Sequence, residues 1–154
     1  MATHSFWTQK HSIKLTQWVI KFTSIAILFI FSSAPFSESL LAEKISSDVH
    51  VIFSFILMTL YSGGILGLLL MYFLLKLLKN ILNNQVFIGD NIHYLRVISW
   101  ICFLGGLIGL ISTFYWILWL PVSFMAIFIG LIIRVIKNIL AAAITIKEEN
   151  DYTI

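Results

Sequence analysis

The chain has 154 residues, of which 60% are hydrophobic and only 11% charged, with a formal net charge of +3 and a mean hydropathy of +0.98. Soluble domains run near about 45–50% apolar and roughly 25% charged, so a soluble enzyme, a disordered chain and a disulfide-stapled secreted module are all excluded. The few cations are too dispersed for a nucleic-acid surface, and one cysteine, Cys102, permits neither an intrachain disulfide nor a multi-cysteine metal site.

An integral membrane protein remains. A helix needs about 20 apolar residues to cross a hydrocarbon core of about 30 Å, which limits this length to roughly four or five spans and one membrane domain. The first apolar stretch covers about residues 15–34, after Lys10 and Lys14, and Pro35 is expected to end it. A removed signal peptide is the alternative reading, with Ser32-Ser33-Ala34 as its cleavage motif. Pro35 beside that motif and the near-spanning length favour an uncleaved span.

The second stretch covers about residues 49–75 and ends at Lys76 and Lys79. A polar segment, about residues 76–96, separates it from the third stretch, about 97–118. Ile81, Leu82, Val86, Phe87 and Ile88 make that segment amphipathic, so it is expected to lie against the interface. The fourth stretch covers about residues 120–140 and opens with Pro121, which suits the first turn of a helix. Trp116 and Trp119 mark the turn between the third and fourth spans, at headgroup level. A stripe of Ile136, Ile139, Leu140 and Ala143 carries the fourth helix onward, and the tail 141–154 becomes polar.

The continuously apolar stretches do not alternate, so the fold class is an all-α, four-transmembrane-helix bundle. Of the ten Lys and Arg, nine fall on the side that holds both termini and the central segment, and only Lys44 falls on the other. The positive-inside rule then places both termini in the cytoplasm.

Two glycine clusters stand out, Gly63-Gly64-Ile65-Leu66-Gly67 and Gly105-Gly106-Leu107-Ile108-Gly109. Each holds a G-x-x-x-G frame, which lets helix backbones approach in lipid. Gly64 and Gly106 are each 21 residues from Gln85, so a hairpin sets them at equal depth. Spans two and three are expected to pack on each other there; homodimerisation through these frames is the competing reading.

Lys21, Arg134 and Lys137 lie near span ends and read as snorkelling interface anchors, with a lipid-headgroup or partner-binding cluster as the sharper alternative. No Asp or Glu lies deep in a span, which argues against a proton relay or cation-coupled transport. His4, His11, His50 and His93 are scattered, without metal-ligand spacing. No nucleophile elbow, P-loop or dinucleotide fingerprint occurs, so neither catalysis nor a cofactor nor a small-molecule substrate is expected. The tail residues Glu148, Glu149 and Asp151 read either as a solvated acidic end or as a docking motif for a partner.

The last nine residues, Ile146-Lys147-Glu148-Glu149-Asn150-Asp151-Tyr152-Thr153-Ile154, resemble an "L-x-E-E-N-D-L-T-I/V" terminus. The segment Asn84-Gln85-Val86-Phe87-Ile88-Gly89-Asp90-Asn91-Ile92-His93-Tyr94-Leu95-Arg96-Val97-Ile98 resembles a "pF-x-x-eN-i-x-x-L-R-x-I-G" signature. Both motifs resemble those of the YoaS-like family of uncharacterised bacterial membrane proteins, the domain of unknown function numbered twenty-nine seventy-five. Tyr152 stands where that family has Leu, and Ser99 where Gly is common. Members are often encoded beside a small Cro-like helix-turn-helix regulator. The resemblance therefore implies a bacterial inner-membrane protein with such a regulator as its candidate cytoplasmic partner, and implies no catalytic residues. Phe87, Asn91, Arg96, Glu148, Glu149 and Asp151 are the residues expected to meet that partner. A small transporter, pore or self-immunity protein acting as an oligomer is the alternative, with Thr59, Ser62, Ser99, Ser112, Thr113 and Ser123 as the polar groups at hand.

Overall fold

A computed structural model describes the backbone of residues 2–42 and 47–151 and the side chains of residues 11–33 and 51–150. Its elements are α1 (Ala2–Ala42), α2 (Ser47–Leu82), α3 (Gly89–Ser112) and α4 (Trp119–Asp151), with no strand among the described residues. All four are long and apolar enough to cross a membrane. Their outer faces carry Trp18, Phe22, Phe29, Leu107, Phe124 and Phe128, all exposed, a surface that suits lipid rather than water.

The all-α, four-helix architecture agrees with the sequence, while the element boundaries differ in three places. Pro35 does not end α1, which continues as helix to Ala42. Proline removes one backbone hydrogen bond, whereas ending the helix early would leave several more groups without partners in an apolar surrounding. The central segment is mostly helical. α2 runs on past Lys76 and Lys79 to Leu82 and α3 starts at Gly89, so only residues 83–88 leave the helices. Charge reports where a helix leaves hydrocarbon, not where its hydrogen bonding stops. Finally, α3 ends at Ser112 rather than near Leu118. Ser112 and Thr113 turn their hydroxyls back onto the carbonyls of Ile108 and Gly109, at 2.8 and 3.2 Å, and the aromatic turn 113–118 follows.

Local chemistry explains the α2–α3 turn. Asn84 has φ of 60°, the left-handed conformation that Asn tolerates better than most residues. The Asn84 N–H donates to Ile81 O at 3.1 Å and the Gln85 N–H to Asn80 O at 2.9 Å, which closes α2 in a Schellman motif. Asp90 then occupies the first turn of α3, where its charge favours the positive end of the helix dipole.

Helices pack on their neighbours in sequence, most extensively α3 on α4, then α2 on α3, and least α1 on α2. Among the described residues, α1 comes close to no helix but α2. α3 is the most buried helix; Leu95, Ile98 and Ile101 are buried along it, and the face it turns to α4 is made of small residues. On the α4 side stand Ser99, Cys102, Gly106 and Gly109; a Cβ added at Gly106 would sit 3.1 Å from the Ser123 carbonyl oxygen, and one at Gly109 would collide with the Ser123 hydroxyl. Gly130 answers from α4, where an added Cβ would sit 3.3 Å from the Ser99 carbonyl oxygen, and the Ser99 hydroxyl donates to Gly130 O at 2.9 Å.

On the α2 side, α3 is held by two polar ties. At one end the buried Asn91 amide donates to Gln85 O and Val86 O, at 2.7 and 2.9 Å, and accepts from Asn80 Nδ2 at 2.8 Å. At the other, Ser112 Oγ lies 2.8 Å from Thr59 Oγ1, and the Tyr115 hydroxyl bonds both. Asn91 and Ser112 are 21 residues apart on α3, about 31 Å of helix, close to the ~30 Å of a hydrocarbon core. No buried side-chain N or O of the described residues lacks a partner.

Replacing Asn91 with Ala should destabilise the protein by about 1–3 kcal/mol, since two turn carbonyls and Asn80 lose their partner. Unfolding in detergent, followed by circular dichroism, measures this. The same assay should separate the glycines. Gly106→Leu overfills the α3–α4 contact and should cost about 1–3 kcal/mol. Gly63→Leu, where an added Cβ meets nothing within 4 Å, should change stability by less than about 0.5 kcal/mol.

Candidate functional site

The glycine clusters lie at similar depth, but they do not pack on each other as expected. Gly64 faces Phe31 of α1, and a Cβ added at Gly67 would lie 3.7 Å from Ile27. Gly106 and Gly109 face Ile127 and Ser123 of α4, leaving only Gly105 toward α2, where an added Cβ would lie 3.9 Å from Leu66. The reason is helical phase. The α2 face that meets α3 carries Phe55, Thr59, Leu66, Phe73 and Asn80, and Gly64 lies off that stripe. Equal distance from a turn sets depth but leaves azimuth open.

These glycines help form a cleft of about 320 Å³ at the end of the molecule away from the termini. α1 contributes Ile27 and Phe31, α4 contributes Trp119 and Ser123, and Gly63, Gly64, Gly105 and Gly109 form its floor. Trp119 thus starts α4 and lines the cleft, while Trp116 stays partly exposed in the 113–118 turn. Thr59, Ser99, Ser112 and Ser123 are engaged in bonds within or between helices.

The termini end carries most of the polar side chains. Phe87 lies in the 83–88 turn, half exposed, and the Lys147 ammonium stands 5.9 Å from its ring centroid. That contact joins the segment around Phe87 to the polar end of α4. Lys76 lies over Tyr72 and Tyr94, at 4.8 and 5.7 Å. Glu148 and Glu149 are exposed on the last turns of α4; Asp151 ends that helix and its side chain falls outside the described residues, as do Tyr152, Thr153 and Ile154. Asn91 is a correction to the expected partner surface. It is 1% exposed and its side-chain amide is consumed by the turn it closes.

Arg96 does reach the surface, in company that sequence spacing did not anticipate. Arg96, Ser99 and Trp100 from one face of α3 and Arg134 and Lys137 from α4 line a cavity of about 70 Å³. The Arg134 guanidinium stands 5.7 Å from the Trp100 ring centroid, within cation–π range. Arg134 is 15 residues from Trp119 along α4, about 22 Å. That is less than the ~30 Å of a hydrocarbon core, and a cation inside such a core costs up to about 2.5–3.5 kcal/mol if left alone. Lys21 belongs to the same level. The register of Phe31 on Gly64 and Ile27 on Gly67, continued along both helices, sets Lys21 opposite residue 74 of α2, about half a turn from Lys76. The i, i+4 spacing of Arg96 with Trp100 and the i, i+3 spacing of Arg134 with Lys137 were the available signals. Among the described residues no group of His, Cys, Asp and Glu converges to hold a metal ion.

A family model described as "Protein of unknown function (DUF2975)" matches residues 27–154. The chain belongs to that family. The match takes in both sequence motifs, the whole of α2, α3 and α4, and both polar ends of the α2–α3 pair; it leaves out the first half of α1, Lys21 included. No curated protein and no solved structure matches the chain.

The contact between Lys147 and Phe87 is open to a direct test. Exposed cation–π pairs contribute about 0.5–1 kcal/mol. Phe87→Ala should therefore raise the rate of tryptic cleavage after Lys147 about two- to fivefold in membranes, read by mass spectrometry of the released tail.

Proposed function

We propose that this membrane protein is a regulatory or accessory component whose termini-side face lies in the cytoplasm of a bacterial cell and receives a soluble partner. The observation that carries the reading is the Lys147–Phe87 contact, which joins the polar end of α4 to the α2–α3 turn. The two segments whose residues resemble the family's signatures therefore meet on one surface. Charge supports the orientation, because nine of the ten Lys and Arg belong to that side. Helix α4 also continues 14 residues beyond Lys137, about 21 Å, enough to lift Glu148 and Glu149 clear of the headgroups.

A Cro-like helix-turn-helix regulator is the partner that the family resemblance suggests. Such a protein is basic where it meets DNA, and an acidic tail would compete for that surface. Membrane tethering would then withdraw the regulator from its operator. Phe87 and the Glu148–Glu149 pair are the contact residues in this reading.

Affinity capture from detergent-solubilised membranes tests it, with a Cro-like helix-turn-helix regulator from the same genome tagged. The full chain should be retained, and a chain truncated after Ile146 should lose at least about tenfold in recovery, while the neighbouring operon changes its expression. Equal recovery of the truncated chain, or unchanged expression, would reject the reading.

A further inference from the structure

We propose that the cavity between α3 and α4 binds a phosphate group, and that its source is the headgroup of an anionic phospholipid. The cavity is lined by Arg96, Ser99, Trp100, Arg134 and Lys137, so three cations from two helices surround a space of about 70 Å³. That volume suits one compact oxyanion and no larger ligand. No acidic residue lines it. Along α3 the nearest carboxylate is Asp90, six residues before Arg96, and along α4 it is Glu148, eleven residues after Lys137. Three like charges are thus gathered without an acid in the lining to offset their repulsion.

Snorkelling does not dispose of these charges. Side chains of a helix tilt toward its N-terminus. For Arg96 on α3 this direction leads to the termini-side interface. For Arg134 and Lys137 on α4, which runs the opposite way, it leads into the hydrocarbon. Arg134 leans on the Trp100 ring, which fixes the guanidinium at the cavity. An anion brought to this point offsets the desolvation of all three groups, and guanidinium forks match phosphate oxygens in geometry.

Position selects the source. Trp100 and Arg134 are exposed on the outside of the α3–α4 pair, where lipid surrounds the protein, and the cavity lies between the depths of the two polar ties. A phospholipid reaches this point with its chains along α3 and α4 and its phosphate at the cations. A free phosphate ion has no wet path at that depth. The inference is independent of the partner reading and of which side of the membrane the termini face.

Titration of the full chain in detergent tests the proposal, with native mass spectrometry as readout and three probes: phosphatidylglycerol, phosphatidylcholine and inorganic phosphate. Phosphatidylglycerol should bind at least about tenfold more tightly than phosphatidylcholine, and Arg134→Gln with Lys137→Gln should abolish that preference. Arg96→Gln, a milder change on the other helix, should weaken it about three- to tenfold and serves if the double variant fails to fold. Lys79→Gln, outside the cavity, should leave it unchanged. The proposal is overturned if the cavity variants bind phosphatidylglycerol as the unaltered chain does, or if Lys79→Gln has the same effect as they do. Binding of inorganic phosphate at millimolar concentration, lost in the double variant, would overturn the lipid source and retain the phosphate chemistry.

Discussion

Helices in a bilayer gain nothing from hiding leucine, because the surrounding lipid is as apolar as the interface they would form. Adhesion then depends on close backbone approach and on polar groups that have no better partner. The packing of this protein follows from that constraint, and α3 answers to it most fully. Gly106, Gly109 and Ser99 let α4 approach until the Ser99 hydroxyl reaches the Gly130 carbonyl. Asn91 and Ser112, one hydrocarbon thickness apart, tie the other face to α2. With small residues toward α4 and polar ties toward α2, α3 becomes the centre, and α1, which meets α2 through Phe31 and Ile27 against glycine, stays at the edge.

Polar side chains divide along the same lines. Those with one hydroxyl or amide group are used up inside: Thr59, Ser99, Ser112 and Asn91 all bond a carbonyl or each other. Among the described side chains, those with full charge lie toward one end. Lys76 rests on Tyr72 and Tyr94, Lys147 on Phe87 and Arg134 on Trp100, so aromatic faces take the place of carboxylates as neighbours of cations. Aromatic rings do this at low cost in a membrane, since they are themselves soluble in it. They do not neutralise charge, which is why a ring of cations with rings for neighbours still has room for an anion.

The two ends of the molecule therefore differ in kind. One holds an apolar, glycine-floored cleft bounded by α1 and α4. The other gathers cations, the α2–α3 turn and the protruding end of α4. Recognition of a soluble partner or of a headgroup needs charge and reach, and among the described residues the second end supplies both.

Composition and periodicity alone determined that the chain spans a membrane four times, that its helices are continuous, and that its cations sort to the side of the termini. These are properties of individual helices against lipid, and each can be read from one stretch at a time. Helix ends were less legible: the reading placed them where charge or proline begins, whereas backbone hydrogen bonding carried α1 through Pro35 and α2 through Lys79. Which faces meet was not legible at all. Gly64 and Gly106 lie at the same depth yet look at different neighbours, because depth follows from counting along a hairpin while azimuth depends on how every other side chain of the helix packs. For the same reason Asn91, polar and near a turn, read as a surface residue until the fold closed that turn around it. The grouping of Arg96, Trp100, Arg134 and Lys137, some 40 residues apart in sequence, was likewise decided by the tertiary structure, since only the α3–α4 register brings those two stretches level.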